Sequence, residues 1–222
     1  MNIVYATDDN GALGTGVSIV SLMENLPPGV HVDIYIMTGG LSGDNTARFH
    51  SLQQGYNLHL HFIDMKDKYT DFPVGSKWSA ATYYRLGLAG ELPATVERAL
   101  YVDIDTIFNR DISPMYESEF GDCLIAGVFT TEDLSEESFS RWKREMNLDR
   151  SSIYINAGVI LYHIGRIREE CFESQVLSWA KNNIHRLSWQ DQDILNVCYQ
   201  QRILLLHPMW NICDGAIWSI RW

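Results

Sequence analysis

The sequence predicts an α/β protein, with a largely parallel sheet that carries helices on both faces. Strand-like and helix-like segments alternate through the first half of the chain at the spacing of βα units. One strand, Ala99-Leu100-Tyr101-Val102, is apolar throughout, as a strand covered on both faces must be. The 222 residues are 46% hydrophobic and 20% charged, enough for one self-contained core, and they show no linker, repeat or compositional break. A single domain over residues 1–222 is the simplest account.

Each element has its own signal. Ile3-Val4-Tyr5-Ala6 reads as the first strand and ends in the polar turn Thr7-Asp8-Asp9-Asn10-Gly11. Leu13, Val17, Val20 and Met23 then recur at helical spacing until Pro27-Pro28 halts the helix. Val30, Val32, Ile34 and Ile36 alternate with His31, Asp33 and Tyr35, the pattern of a strand with two unlike faces. A weaker helix is expected from Asp44 to Leu52, followed by a second alternating strand at Leu58, Leu60 and Phe62. After a loop through Pro73 and Gly75, Ala80 to Leu88 has helical character. The Ala99–Val102 strand runs directly into Asp103-Ile104-Asp105. Beyond it, strands are expected at Cys123–Val128, Ile155–Tyr162 and Ile203–Leu206, and helices at Ser135–Met146, Arg166–Asn183 and Asp191–Tyr199.

Lys and Arg number 17 against 28 Asp and Glu, a formal net charge of −11. That balance argues against nucleic acid and against anionic lipid as partners, because both are held by clustered cations. A phosphorylated small molecule would need a metal ion to offset the repulsion. The longest apolar stretch, Ile153 to Ile164, is shorter than the ~20 residues of a membrane span and is interrupted by Asn156 and His163. No basic-then-apolar leader opens the sequence, so no transmembrane segment and a cytoplasmic location are expected. Cys123, Cys171, Cys198 and Cys213 make no Cys-x-x-Cys pair and read as small buried apolar residues. His59, His61, His163, His185 and His207 suggest no metal-ligand spacing, and Trp210, Trp218 and Trp222 read as core or interface.

In an open parallel sheet, ligands collect beyond the carboxyl ends of the strands. Two such ends are acidic here: Asp8-Asp9 after the first strand, and Asp103 with Asp105 after the buried one. Two carboxylates one residue apart suit hard Mg²⁺ or Mn²⁺, which prefers oxygen ligands and keeps positions open for phosphates. The plainer reading is an Asp-rich turn that caps the next helix. Gly11, Gly14 and Gly16 follow the order G-x-x-G-x-G, unlike a dinucleotide fingerprint, and close helix-to-sheet packing accounts for them. Asn156 is polar inside the apolar run Tyr154–Ile160, and the small Ala157 and Gly158 beside it leave room for an approaching group. Asp191-Gln192-Asp193 opens a helix, where carboxylates favour the dipole.

Five segments, taken in order, resemble one family. They are Ile3 to Asn10, Tyr84-Arg85-Leu86, Leu100 to Asp105, Tyr154 to Val159, and Asp191-Gln192-Asp193-Ile194-Leu195-Asn196. Together they look like the retaining family 8 glycosyltransferases, which include glycogenin and the bacterial glucosyl- and galactosyltransferases of lipopolysaccharide. The resemblance covers nearly the whole chain. It implies a GT-A fold, Rossmann-like, and a UDP-hexose donor used with Mn²⁺ or Mg²⁺ on a saccharide or glycolipid acceptor. It further implies that Ala6, Asp8 and Asn10 hold the uridine, that Ile104 lies near the ribose, and that Arg85 contacts the donor. Asp103 and Asp105 become the metal ligands of the diphosphate. Asn156, Asp191 and Gln192 would line the transferred sugar and act in catalysis.

The family's later His-x-x-Gly-x-x-Lys-Pro-Trp segment, with its third metal ligand, has no counterpart in these 222 residues. A weakly active or inactive nucleotide-sugar-binding protein is therefore the alternative. A second one is a haloacid dehalogenase-type phosphatase, which the strand followed by Asp103-Ile104-Asp105-Thr106 also resembles, with Lys181, Asp191 and Asp193 as loosely spaced partners. The oligomeric state has no signature in the sequence.

Overall fold

The computed structural model describes residues 1–74, 79–130, 136–149 and 151–212. Seven strands, β1 (Asn2–Ala6), β2 (Val32–Thr38), β3 (Leu58–Asp64), β4 (Ala99–Val102), β5 (Ile125–Phe129), β6 (Ile155–Tyr162) and β7 (Ile203–Leu206), form one sheet. Their order is β3-β2-β1-β4-β6-β5-β7. β1 to β4 are mutually parallel, β5 is parallel to β7, and β6 runs antiparallel to both β4 and β5.

The alternation of side chains along the strands divides the core in two. Ile3, Tyr5, Leu100 and Val102 pack against α1 (Ala12–Asn25) and against Phe49 of α2 (Gly43–Gly55). Val4, Ala6, Ala99 and Tyr101 turn to the opposite layer. That layer is built by α3 (Ala81–Tyr84), a 3-10 turn (Arg85–Gly87) and α4 (Leu88–Glu91). Met115 of α5 (Ser113–Tyr116) joins the first layer, while α6 (Glu136–Glu145) places Trp142 against Tyr154. α7 (Ile164–Glu169), α8 (Phe172–Asn183) and α9 (Gln190–Cys198) complete the second layer. Among the described residues, no helix is long and apolar enough to cross a membrane.

Three expectations need correcting. First, α1 forms where the sequence predicts, but it does not bury the Leu13–Val17 stripe, whose residues are 77% and 48% exposed. It buries Ala12, Thr15, Ser18, Ile19 and Leu22 instead. Small side chains let the helix sit close to the sheet, and their hydroxyls are satisfied there: Thr15 donates to Thr7 at 3.0 Å, and Ser18 meets Tyr5 Oη at 3.1 Å. Second, the expected helix Arg166–Asn183 is two helices, broken at Cys171, whose φ of 50° lies in the left-handed region. Cys171 is accordingly exposed rather than buried. Third, Ala80–Leu88 is not one helix but two short ones joined by the 3-10 turn that carries Arg85. Gly75, Cys213, Trp218 and Trp222 lie outside the described residues.

Candidate active site

The sheet order places the change of direction between β1 and β4, the position where open α/β sheets bind ligands. Because β6 is antiparallel to β4, the start of β6 lies beside the end of β4, with Val102 paired to Val159. The backbone N–H of Asp103 donates to Gly158 O at 2.7 Å and locks this junction. A cavity of about 270 Å³ opens here, lined among others by Arg85, Asp103, Asn156, Asp191 and Gln192. A larger groove of about 570 Å³ runs along α8, but its lining side chains carry no titratable group, whereas the smaller cavity gathers Arg85, Asp103 and Asp191.

Arg85 is the centre of the site. Its side chain is only 7% exposed. Nη2 lies 2.7 Å from Asp103 Oδ1, Nε lies 3.0 Å from Asp191 Oδ2, and Nη1 donates to Ala157 O at 2.6 Å. The guanidinium also stacks 4.2 Å above the ring of Tyr101. Burial opposes the charge of Arg85, but Asp103 and then Asp191 outweigh it and keep the side chain protonated. The resemblance made Arg85 a donor contact. In the structure it lines the cavity, with its guanidinium engaged by protein carboxylates and a carbonyl.

The turn that opens α9 gives its three polar residues separate tasks. Asp191 faces Arg85 and the cavity; burial pushes its carboxyl up to about 6, with Arg85 pulling it down and Asp103 pushing it further up. Gln192 accepts from Ala157 N at 2.9 Å and donates to Tyr154 Oη at 3.3 Å, tying the helix to β6. Asp193 is fully buried and caps the helix, accepting from the backbone of Ser188 and Trp189 and from Tyr154 Oη. One turn further on, the Asn196 amide brackets both backbone groups of Ile155.

Asn156 accepts from Gly158 N at 2.8 Å and from Asn211 Nδ2 at 2.8 Å. The small residue next to it is required: a Cβ on Gly158 would stand 2.9 Å from Asn156 Oδ1 and 3.1 Å from Asp103 Oδ2. The approaching group that the sequence left room for is the Asp103 side chain.

The other expected residues lie around the cavity rather than in its lining. Ala6 is the buried end of β1. Asp8 accepts from Gly11 N at 3.0 Å and closes the turn into α1, while Asn10 is exposed at that turn. The neighbouring Asp9 binds Ser42 N at 2.7 Å and Asn45 Nδ2 at 2.9 Å, which anchors α2. Ile104 sits under α1, and a Cβ on Gly14 would come within 3.0 Å of its carbonyl oxygen. Asp105 is exposed on the same loop. Asp103 Oδ2 borders the space that Gly158 leaves open, and Asp105 is exposed two residues further along the same loop; carboxylate oxygens are the donor type that Mn²⁺ or Mg²⁺ takes.

Thr82, Trp189 and Gln190 also line the cavity, and sequence reasoning missed them. Gln190 has φ of 41° and accepts from Tyr83 Oη at 2.9 Å, a left-handed residue held in place beside the site. Its signal was adjacency to Asp191. Thr82 and Asn211 arrive through tertiary structure alone. The sequence also gave His59 and His61 no metal-ligand role, yet with Asp33 they form a compact group on β2 and β3, away from this cavity.

Residues 2–216 match the family described as glycosyl transferase family 8. The chain belongs to that family. It is 27% identical over 214 residues to the lipopolysaccharide 1,2-glucosyltransferase of Escherichia coli K12, covering 95% of this chain and 62% of that enzyme. With the lipopolysaccharide 1,3-galactosyltransferase of Salmonella typhimurium it shares 28% identity over 204 residues, 88% of this chain and 58% of the relative. With a putative glycosyltransferase of Haemophilus influenzae it shares 26% over 214 residues, 95% of this chain and 63% of the relative. The chain thus spans about three fifths of the length of these curated relatives.

Among solved structures, galactosyltransferase LgtC in complex with donor and acceptor sugar analogues superposes with a TM-score of 0.83 at 25% identity, covering 94% of this chain and 74% of LgtC. The GT-A architecture expected from the sequence is the one found. Membership of family 8 also sets aside the dehalogenase-type reading of Asp103 and Asp105.

Proposed function

We propose that this family 8 chain transfers a hexose, glucose or galactose, from a UDP-hexose to a hydroxyl of a saccharide or glycolipid, with retention at the anomeric carbon. The setting we propose is cytoplasmic synthesis of lipopolysaccharide or another surface glycan, in keeping with the relatives' activities. The observation that carries this reading is the convergence of Asp103, Arg85 and Asp191 on one cavity at the β1/β4 crevice.

Asp103 and Asp105 would hold Mn²⁺ or Mg²⁺, and a bound dication supplies the Lewis-acid stabilisation that a departing diphosphate needs. The chain's own residues do the rest. The loop of Ala6, Asp8 and Asn10 offers the uridine its site, closed against the Ile104 loop at Gly11 and Gly14. Arg85 is a positioning residue that keeps Asp103 and Asp191 apart and oriented. Asp191 presents an anionic oxygen to the positive charge that develops on the sugar ring. Asn156 and Gln192 shape the same wall, each fixed by hydrogen bonds to β6 backbone. The acceptor hydroxyl passes its proton to the departing phosphate oxygen, so no separate general base is assigned.

Incubation with Mn²⁺ and either UDP-glucose or UDP-galactose tests the proposal. It predicts UDP release that accelerates with a saccharide acceptor. Donor binding without any UDP release would favour the inactive nucleotide-sugar-binding alternative and contradict the proposal.

A further inference from the structure

A second polar cluster lies at the other end of the sheet, unconnected with the transferase reading. β2 and β3 pair in parallel with Asp33 opposite His59 and Tyr35 opposite His61. Residues paired this way project from the same face, and so do residues two apart on one strand. The register therefore gathers Asp33, His59 and His61 on one patch of sheet, with their imidazole centroids 4.5 Å apart. Asp33 Oδ1 is 2.8 Å from His61 Nε2, and one donor atom from each of the three residues lies within 4.8 Å of the others. Asp33 precedes Thr38, the end of β2, by five residues, or ~16 Å of strand, so this patch lies well back from the cavity at the strands' carboxyl ends.

The cluster has the supporting contacts of a built site. Tyr35 stacks flat on His61 at 4.6 Å and 12°, which fixes the ring. The second oxygen of Asp33 is 3.7 Å from His31 Nε2, and His31 Nδ1 in turn lies 3.1 Å from Asn57 Oδ1. Asp33 and His61 are each about one third exposed, and His59 is open to solvent, so an ion can enter. Two imidazole nitrogens and a carboxylate oxygen are the donor set of Zn²⁺ and its neighbours rather than of Mn²⁺ or Mg²⁺. Ligands about 2 Å from a tetrahedral ion stand roughly 3.3 Å apart, within reach of side-chain rotation from the present spacing.

We propose that Asp33, His59 and His61 form a transition-metal site, taking Zn²⁺, that clips the edge strand β3 to β2 and is separate from the Asp103/Asp105 loop. β3 is an edge strand of the sheet, with one side unpaired, where protection is useful. An ion bound only by the folded protein would stabilise that edge by mass action.

The test is equilibrium dialysis of the chelator-treated full chain against Zn²⁺, with the d–d absorption of Co²⁺ as a coordination signature. Stoichiometric binding is expected, with a tetrahedral Co²⁺ spectrum and a Zn²⁺-dependent rise in Tm. His61→Ala should weaken the binding by roughly tenfold or more. His59→Ala, at an exposed position, should do the same, while His185→Ala, exposed and outside the cluster, should leave it unchanged. Absence of stoichiometric binding in the parent chain would overturn the proposal, as would a tetrahedral Co²⁺ spectrum that survives His59→Ala or disappears with His185→Ala.

Discussion

Arg85 separates two carboxylates, one of them buried, that would otherwise repel, so its removal should cost more than its own contacts. Asp191 is 10% exposed and Asp103 34%, so the first is poorly screened and the second partly so. Arg85→Met should lower unfolding stability by about 2–3 kcal/mol in urea at pH 8, and by less at pH 5, where Asp191 can take up a proton. A loss independent of pH would show that packing rather than charge explains Arg85. Asp191 carries a second prediction. Its carboxyl, pushed up to about 6 by burial, loses its charge as pH falls through that value. The proposed role needs the anion, so kcat/KM for the donor should drop on the acid side with a midpoint near pH 6, and Asp191→Asn should remove both the limb and most of the activity. The sign for stability runs the other way. A folded pKa above the unfolded one favours the fold below about pH 4 and surrenders that advantage by about pH 6.

Among the elements, α1 shows how tightly a helix governs the neighbouring loop. A Cβ on Gly14 would press on the Ile104 carbonyl at 3.0 Å, backbone against which nothing can swing away, whereas Gly16 faces open space. Gly14→Ala should therefore destabilise by about 1–2 kcal/mol and weaken donor binding through the Asp103-Ile104-Asp105 loop. Gly16→Ala should be neutral or up to about 1 kcal/mol stabilising, and paired thermal melts and calorimetry check both. The close packing was legible in the sequence as a glycine-rich strand-to-helix passage. The buried face of α1 was not, because Thr15 and Ser18 are polar by type and become core only through Thr7 and Tyr5. The break at Cys171 was equally hidden: nothing local distinguishes it, and α7 stops there while the Arg168 guanidinium donates to the carbonyls of Ala89 in α4 and of Leu92 and Val96 in the loop after it, far away in sequence. Asp191, Gln192 and Asp193 were recognised as a helix start, but their division into cavity carboxylate, strand tether and cap depends on Arg85, Ala157 and Tyr154, each far away in sequence.

For the whole molecule, one reversed strand makes the site. β6 brings Asn156 and Gly158 to the carboxyl end of β4, and an all-parallel sheet would have left them at the far end. The order of strand and helix signals was enough to predict the α/β class, and the strand-end aspartates marked where a ligand would gather. Which residues share the cavity depended on strand order, and so did the meeting of Asp33 with His59 and His61 across a register no local pattern reveals. With a net charge of −11, the molecule has few cations to offer a diphosphate, and Arg85, the cation that lines the cavity among the described residues, is committed to Asp103 and Asp191. The account therefore depends on metal-assisted binding at Asp103 and Asp105. Calorimetric titration of a UDP-hexose into the chain, with Mn²⁺ or with a chelator, measures this directly. The predicted result is binding that requires Mn²⁺ and falls by roughly a hundredfold or more in Asp103→Asn and Asp105→Asn, both still folded by circular dichroism. Equal affinity in chelator, or in the two variants, would contradict it.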